Sequence, residues 1–181
     1  MFLQEEEFFN WAISNLEKLN EIIIISQTPI MFFKEEQMGI ATTYLSALEK
    51  RFDLGHLRTT YFMPQNKLDS LISIKTPIDE RIDIMRKWEM KWYDKINISA
   101  LVVENGYFPL VSFWIGKNKN EIKYVLMKLN FEDSKKLKPI WLFVKEDVPK
   151  LDKLLLTLKD HSKTFSEYLD KQIDSISLLE P

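Results

Sequence analysis

The chain reads as an α+β protein: helices come first, then an antiparallel sheet of about four strands over roughly residues 98–145, then two closing helices. Three observations predict this. Apolar residues recur at helical spacing through 4–19, 35–52 and 77–95. Between Ile98 and Val144 that spacing gives way to short β-branched and aromatic runs separated by turn residues. Beyond Asp147 the helical spacing returns in two segments.

Taken in order, residues 4–19 predict a helix. Glu5, Glu6 and Glu7 sit in its first turn, where acids suit the positive end of the helix dipole. Phe8, Phe9, Ala12, Ile13, Leu16 and Leu19 form its apolar face. Ile22–Ile25 is β-branched throughout and predicts a buried strand that joins the sheet at its edge. Pro29 follows, and Ile30–Phe33 is a second short extended piece.

Residues 35–52 repeat apolar positions at steps of three and four, and Gly55 ends them. Residues 57–63 have strand composition up to Pro64, and 67–74 read as irregular. Thr76 and Pro77 open the helix 77–95 as cap and first-turn residue.

The second half begins with Ile98–Val103 as a strand. Asn105-Gly106 is a strong signal for a two-residue hairpin turn, with both positions at positive φ. It predicts Phe108–Ile115 as the return strand. The polar turn Gly116–Asn120 leads to Glu121–Leu129, and the basic loop Lys135–Lys138 leads to Ile140–Val144. The closing helices span about 148–160 and 164–177, the latter opened by the capping-box pair Thr164 and Glu167. Ile98–Val103, Val111–Ile115 and Ile140–Val144 lack the alternation of a strand wet on one side, so both faces of the sheet are expected to be covered.

Composition narrows the function. A chain of 181 residues fits one domain, 1–181. The absence of cysteine excludes disulfides, thiolate metal sites and a cysteine nucleophile. Only four glycines argue against a phosphate-cradling loop. The acidic start has no basic n-region, and no apolar run approaches the roughly 20 residues of a membrane span, so a soluble cytoplasmic protein is expected. The net charge of −2 gives no general attraction to nucleic acid. The charge is uneven, however: residues 1–53 hold nine acids against four bases.

Several residue sets stand out. Trp88, Trp92 and Tyr93 on the helix 77–95, with Trp114 and Trp141 on strands, are interface or pocket candidates, because aromatics carry large area and concentrate at binding hot spots. Glu5, Glu6 and Glu17 are candidates to face a basic partner. His56 and His161 have no neighbouring ligand spacing, so no metal or other cofactor is expected.

Glu121-Ile-Lys123 on a strand, with Glu104 at the end of the strand two before it, offers a weak metal-site alternative. This order of elements resembles the core of the PD-(D/E)xK nucleases, and the resemblance would make Glu121 a metal ligand and Lys123 its charge partner. That family also requires an Asp on the preceding strand, where Phe108–Ile115 has none.

The leading expectation is a non-catalytic protein-binding module of adaptor, inhibitor or immunity type, acting on another protein or a second copy. The alternatives are a carrier of a small or lipid-like ligand in an aromatic pocket, and a degenerate metal nuclease.

Overall fold

A computed structural model of the chain describes residues 2–27, 40–71, 77, 80, 81, 83, 85–87, 97–129, 139–144 and 148–178. Its centre is an eight-stranded mixed sheet. The elements are β1 (Phe2–Gln4), α1 (Glu5–Asn15), a 3-10 turn (Leu16–Lys18), β2 (Glu21–Ile25), α2 (Ile40–Asp53), β3 (Arg58–Pro64), α3 (Gln65–Leu71), β4 (Ile98–Val103), β5 (Ser112–Asn118), β6 (Glu121–Leu129), β7 (Ile140–Phe143), α4 (Val148–Asp160), β8 (Ser162–Thr164) and α5 (Phe165–Ser177).

The strand order is β1-β7-β6-β5-β2-β3-β4-β8. The antiparallel part of the expectation holds for β5, β6 and β7, which form a meander. The rest is corrected: β2, β3 and β4 run parallel to one another, and the sheet has twice the expected number of strands. The isoleucine strand is central rather than at the edge, with β5 on one side and β3 on the other. A strand apolar at every position can be buried on both faces only inside the sheet, and Ile22–Ile25 are all buried. Parallel neighbours need crossovers, and α2 lies within the first of them.

Asn105-Gly106 does not join a hairpin. β4 is flanked by β3 and β8, and β5 lies beyond β2, so two strands separate the predicted partners. The local turn does form, with Tyr107 N donating to Glu104 O at 3.3 Å and Gly106 at φ +94°. Asn105 is not among the positive-φ residues, so the two-residue hairpin geometry is absent there. That geometry occurs instead at Lys119 (φ 49°) and Asn120 (φ 68°), between β5 and β6. The return strand accordingly starts at Ser112, since Pro109 cannot donate to a ladder. The stretch 67–74, read as irregular, is helical through Leu71 as part of α3.

Within the helix expected at 77–95, residues 80, 81, 83 and 85–87 are helical, and Arg81 N donates to Pro77 O at 3.1 Å. The remainder of that helix, the extended piece Ile30–Phe33 and the basic loop Lys135–Lys138 lie outside the described residues.

Both sides of the sheet carry a core. On one, Phe8, Phe9 and Ala12 of α1, Tyr44 and Leu48 of α2, and Phe165, Tyr168 and Leu169 of α5 pack against Ile22, Ile24, Tyr61, Trp114 and Leu126. On the other, Leu151 and Leu158 of α4 cover Ile23, Ile25, Phe62, Val103, Ile115 and Val125. This arrangement follows from the period-2 geometry of a strand, which sends Ile22 and Ile24 to one side and Ile23 and Ile25 to the other. α1 is also tied by Lys128 Nζ to Glu5 Oε1 at 2.6 Å. A half-exposed ion pair contributes only about 0–1 kcal/mol, whereas burial of one Phe contributes about 1.5–3 kcal/mol, so packing holds the helix.

Gly116 sits where β5 approaches Leu19. A Cβ there would meet Leu19 Cδ1 at 2.8 Å and Trp114 Cζ3 at 3.0 Å. The register also slips at Gly116/Lys117, leaving Lys123 of β6 unopposed.

Candidate interaction surface

The carboxyl ends of β2, β3 and β4 lie on one edge of the sheet because the three strands are parallel. β5 is antiparallel to β2, with Ile25 opposite Phe113, so β5 begins at that same edge. The segment 104–111 therefore leaves β4, crosses the ends of β3 and β2, and enters β5. In open α/β sheets this edge is where ligands bind, in the crevice at which strand order changes direction. Here that position is between β2 and β5.

The crossing segment is fastened along its length. Glu104 N donates to His161 O at 3.0 Å. Asn105 Oδ1 accepts from Asn66 N, at the start of α3, at 3.0 Å. The Tyr107 ring stacks on His161 with centroids 3.5 Å apart and planes 5° apart. Phe108 packs inward on the core under α4. Pro109 O accepts from Gln27 Nε2, and Gln27 N donates to the buried Ser112 Oγ at 2.9 Å. The Gln27 amide nitrogens are thus bound to the crossing segment and to β5, so the chain itself occupies the change-over point between β2 and β5.

What faces outward is apolar. Leu110 is 95% exposed and Tyr107 is 45% exposed. A lone exposed leucine is ordinary on a protein surface. These two differ in lying on one anchored loop, beside a stacked imidazole, at the edge where β2, β3 and β4 end.

The aromatic candidates fall elsewhere. Trp114 is buried and donates from Nε1 to the Tyr44 hydroxyl at 2.8 Å. Trp141 is buried and stacked on Phe8 with centroids 4.0 Å apart. Its Nε1 has no acceptor among the described residues. Trp11 meets Trp114, Tyr124 and Phe143 edge-on, which completes an aromatic cluster beneath α1. Trp88, Trp92 and Tyr93 lie outside the described residues.

Of the acidic candidates, Glu5 is paired with Lys128, and Glu6 and Glu17 are exposed. Glu7 caps the helix by accepting from Gln4 N at 2.8 Å.

Glu121 and Lys123 form an exposed pair at 2.6 Å. Glu121 starts β6 opposite Asn118, at the edge where β2 begins, whereas Glu104 follows β4 at the other edge. A six-residue strand spans roughly 20 Å, so Glu104 and Glu121 are not brought together. Among the described residues no three His, Asp or Glu side chains cluster as metal ligands. No described helix is long and apolar enough to cross a membrane.

Tyr107 and Leu110 do not stand out in the sequence, and His161 stands out there only as an isolated histidine without ligand spacing. The signal available was Pro109 inside a run taken as strand. A proline there demotes the strand and turns Tyr-Phe-Pro-Leu into an apolar loop.

No protein-family model matches the chain, and no curated protein matches it.

Proposed function

We propose that the protein is a non-catalytic protein-binding module that engages its partner through the crossing segment 104–111. The observation that carries this reading is the exposure of Tyr107 and Leu110 on a loop whose backbone and flanking side chains are tied down on both sides. A pre-organised apolar loop loses little conformational freedom when it binds, which favours a specific contact. Tyr in particular is enriched at interface hot spots. Two further facts agree with binding rather than chemistry. Gln27, at the usual ligand position between β2 and β5, is already engaged by Pro109 and Ser112. Trp114 and Trp141 fill a packed core.

The test is site-specific photo-crosslinking. A photoreactive residue at position 110 is compared with one at Lys119, on the opposite edge of the sheet. The expected result is one discrete protein adduct from position 110 and none from position 119. The double variant Tyr107→Ser/Leu110→Ser should abolish capture by at least ten-fold, about the 1.4 kcal/mol that separates a hot-spot contact from a neutral one. Leu110→Ser alone should weaken capture while thermal stability stays near the wild type, since Leu110 is 95% exposed and makes little contact. Equal labelling at both positions, or a small molecule copurifying in native mass spectrometry, would overturn the reading.

A further inference from the structure

We infer that Asn105 is a self-modification site, at which the folded chain deamidates over time and, where the product is isoaspartate, displaces one anchor of the crossing segment. Asn105 is the asparagine in this sequence that precedes glycine; the others precede Trp, Leu, Glu, Lys, Ile or Phe. The chemistry requires the main-chain nitrogen of the next residue to reach the asparagine side-chain carbon. A side chain on that next residue obstructs the approach, and glycine has none.

The surroundings of the pair are open. Asn105 and Gly106 are both exposed, and an added Cβ on Gly106 would find no atom within 4 Å. The pair therefore lies at the surface, where solvent supplies both water and base. One further contact favours the reaction. The Asn66 N–H donates to Asn105 Oδ1 at 3.0 Å. A donor on that oxygen polarises the side-chain carbonyl and stabilises the negative charge it gains when attacked, as an oxyanion hole does.

Base removes the Gly106 N–H proton, and the nitrogen attacks Asn105 Cγ, forming an N–Cγ bond. The Cγ–Nδ2 bond breaks, and Nδ2 leaves as ammonia after taking up a proton, giving a cyclic imide. Water then hydrolyses one of the two imide C–N bonds, yielding aspartate or isoaspartate. Either product adds a negative charge next to Glu104. Isoaspartate also routes the main chain through the former side-chain methylene, which lengthens the path between Glu104 N, held by His161, and Pro109 O, held by Gln27.

The experiment uses the whole folded chain, incubated at mildly alkaline pH and physiological temperature and sampled by peptide mapping with isoaspartyl methyltransferase labelling. Aspartate and isoaspartate should accumulate at position 105 several-fold faster than at any other asparagine. Faster amide hydrogen exchange across 104–111 should appear in the isomerised fraction. Asn105→Gln, which must close a less favourable six-membered ring, should remove most of the ammonia release while its circular dichroism matches the wild type. An intact Asn105 in the folded chain, loss spread evenly over the asparagines, or unchanged ammonia release from Asn105→Gln would each overturn the assignment. None of these measurements involves a binding partner, so they succeed or fail independently of the docking role of the loop.

Discussion

At the scale of single residues, the hydrogen bond from Trp114 Nε1 to the Tyr44 hydroxyl joins the sheet to α2 inside an otherwise apolar core. Both residues are fully enclosed, so each polar atom depends on the other. Tyr44→Phe keeps the ring and removes the acceptor, which leaves a buried indole N–H without a partner. The expected cost is about 1–3 kcal/mol, read as a lower urea midpoint with an unchanged slope. Trp114 was conspicuous in the sequence, but its partner was not. The two are 70 positions apart, and nothing in the helical spacing around Tyr44 points to a partner that far along the chain. The same limit explains Tyr107 and His161, whose rings stack across 54 residues of chain once β8 has paired with β4.

At the scale of elements, local chemistry was legible wherever a signal acts within a few residues. Thr164 and Glu167 form the capping box that their spacing predicts: Thr164 Oγ1 accepts from Glu167 N at 3.2 Å, and Glu167 Oε2 accepts from Thr164 N at 2.8 Å. Thr164→Ala should cost about 1 kcal/mol, measured by thermal or urea unfolding. The bond from the Thr164 backbone also holds the Glu167 carboxyl below its ordinary range. A carboxyl whose folded value is depressed favours the fold above its unfolded value, and that contribution is lost as pH falls through the folded value. Asn105-Gly106 marks where such reasoning stops. The turn forms, yet a turn reverses the chain without choosing which strand lies beside it. β3 and β8 occupy the two edges of β4, so the chain crosses over β3 and β2 to reach β5.

At the scale of the whole molecule, the helical layer of α1, α2 and α5 excludes water from the tyrosines packed between it and the sheet. Burial raises the phenol pKa of Tyr44, Tyr61 and Tyr168 above the ordinary tyrosine range, most strongly by desolvation. For Tyr168 the neighbouring Asp69, which accepts its hydroxyl at 2.8 Å, pushes in the same direction. The unfolded chain ionises these three tyrosines near pH 10, and the folded chain does so only at higher pH. The unfolded state therefore releases protons first, and stability falls as pH rises above about 10. Alkaline titration should show cooperative unfolding, with tyrosinate absorbance appearing together with the loss of circular dichroism. Ionisation of Tyr44, Tyr61 and Tyr168 while the circular dichroism is unchanged would contradict this picture.

The sequence by itself determined much of the inventory, but not the short strands β1 and β8 or the helix α3. Helical spacing, β-branched runs, the capping box and the absence of alternation in the late strands specified most of the described elements and their need for cover on both faces. These signals are local, set by backbone periodicity and by hydrogen bonds spanning three or four residues. Tertiary structure alone decided that the isoleucine strand is central, that β2, β3 and β4 run parallel, that Glu104 and Glu121 stand at opposite edges, and that Tyr107 and Leu110 share one anchored loop. Strand order is chosen by how distant apolar faces share a common burial. No local window carries that information, because neighbours in the sheet are separated by tens of residues along the chain.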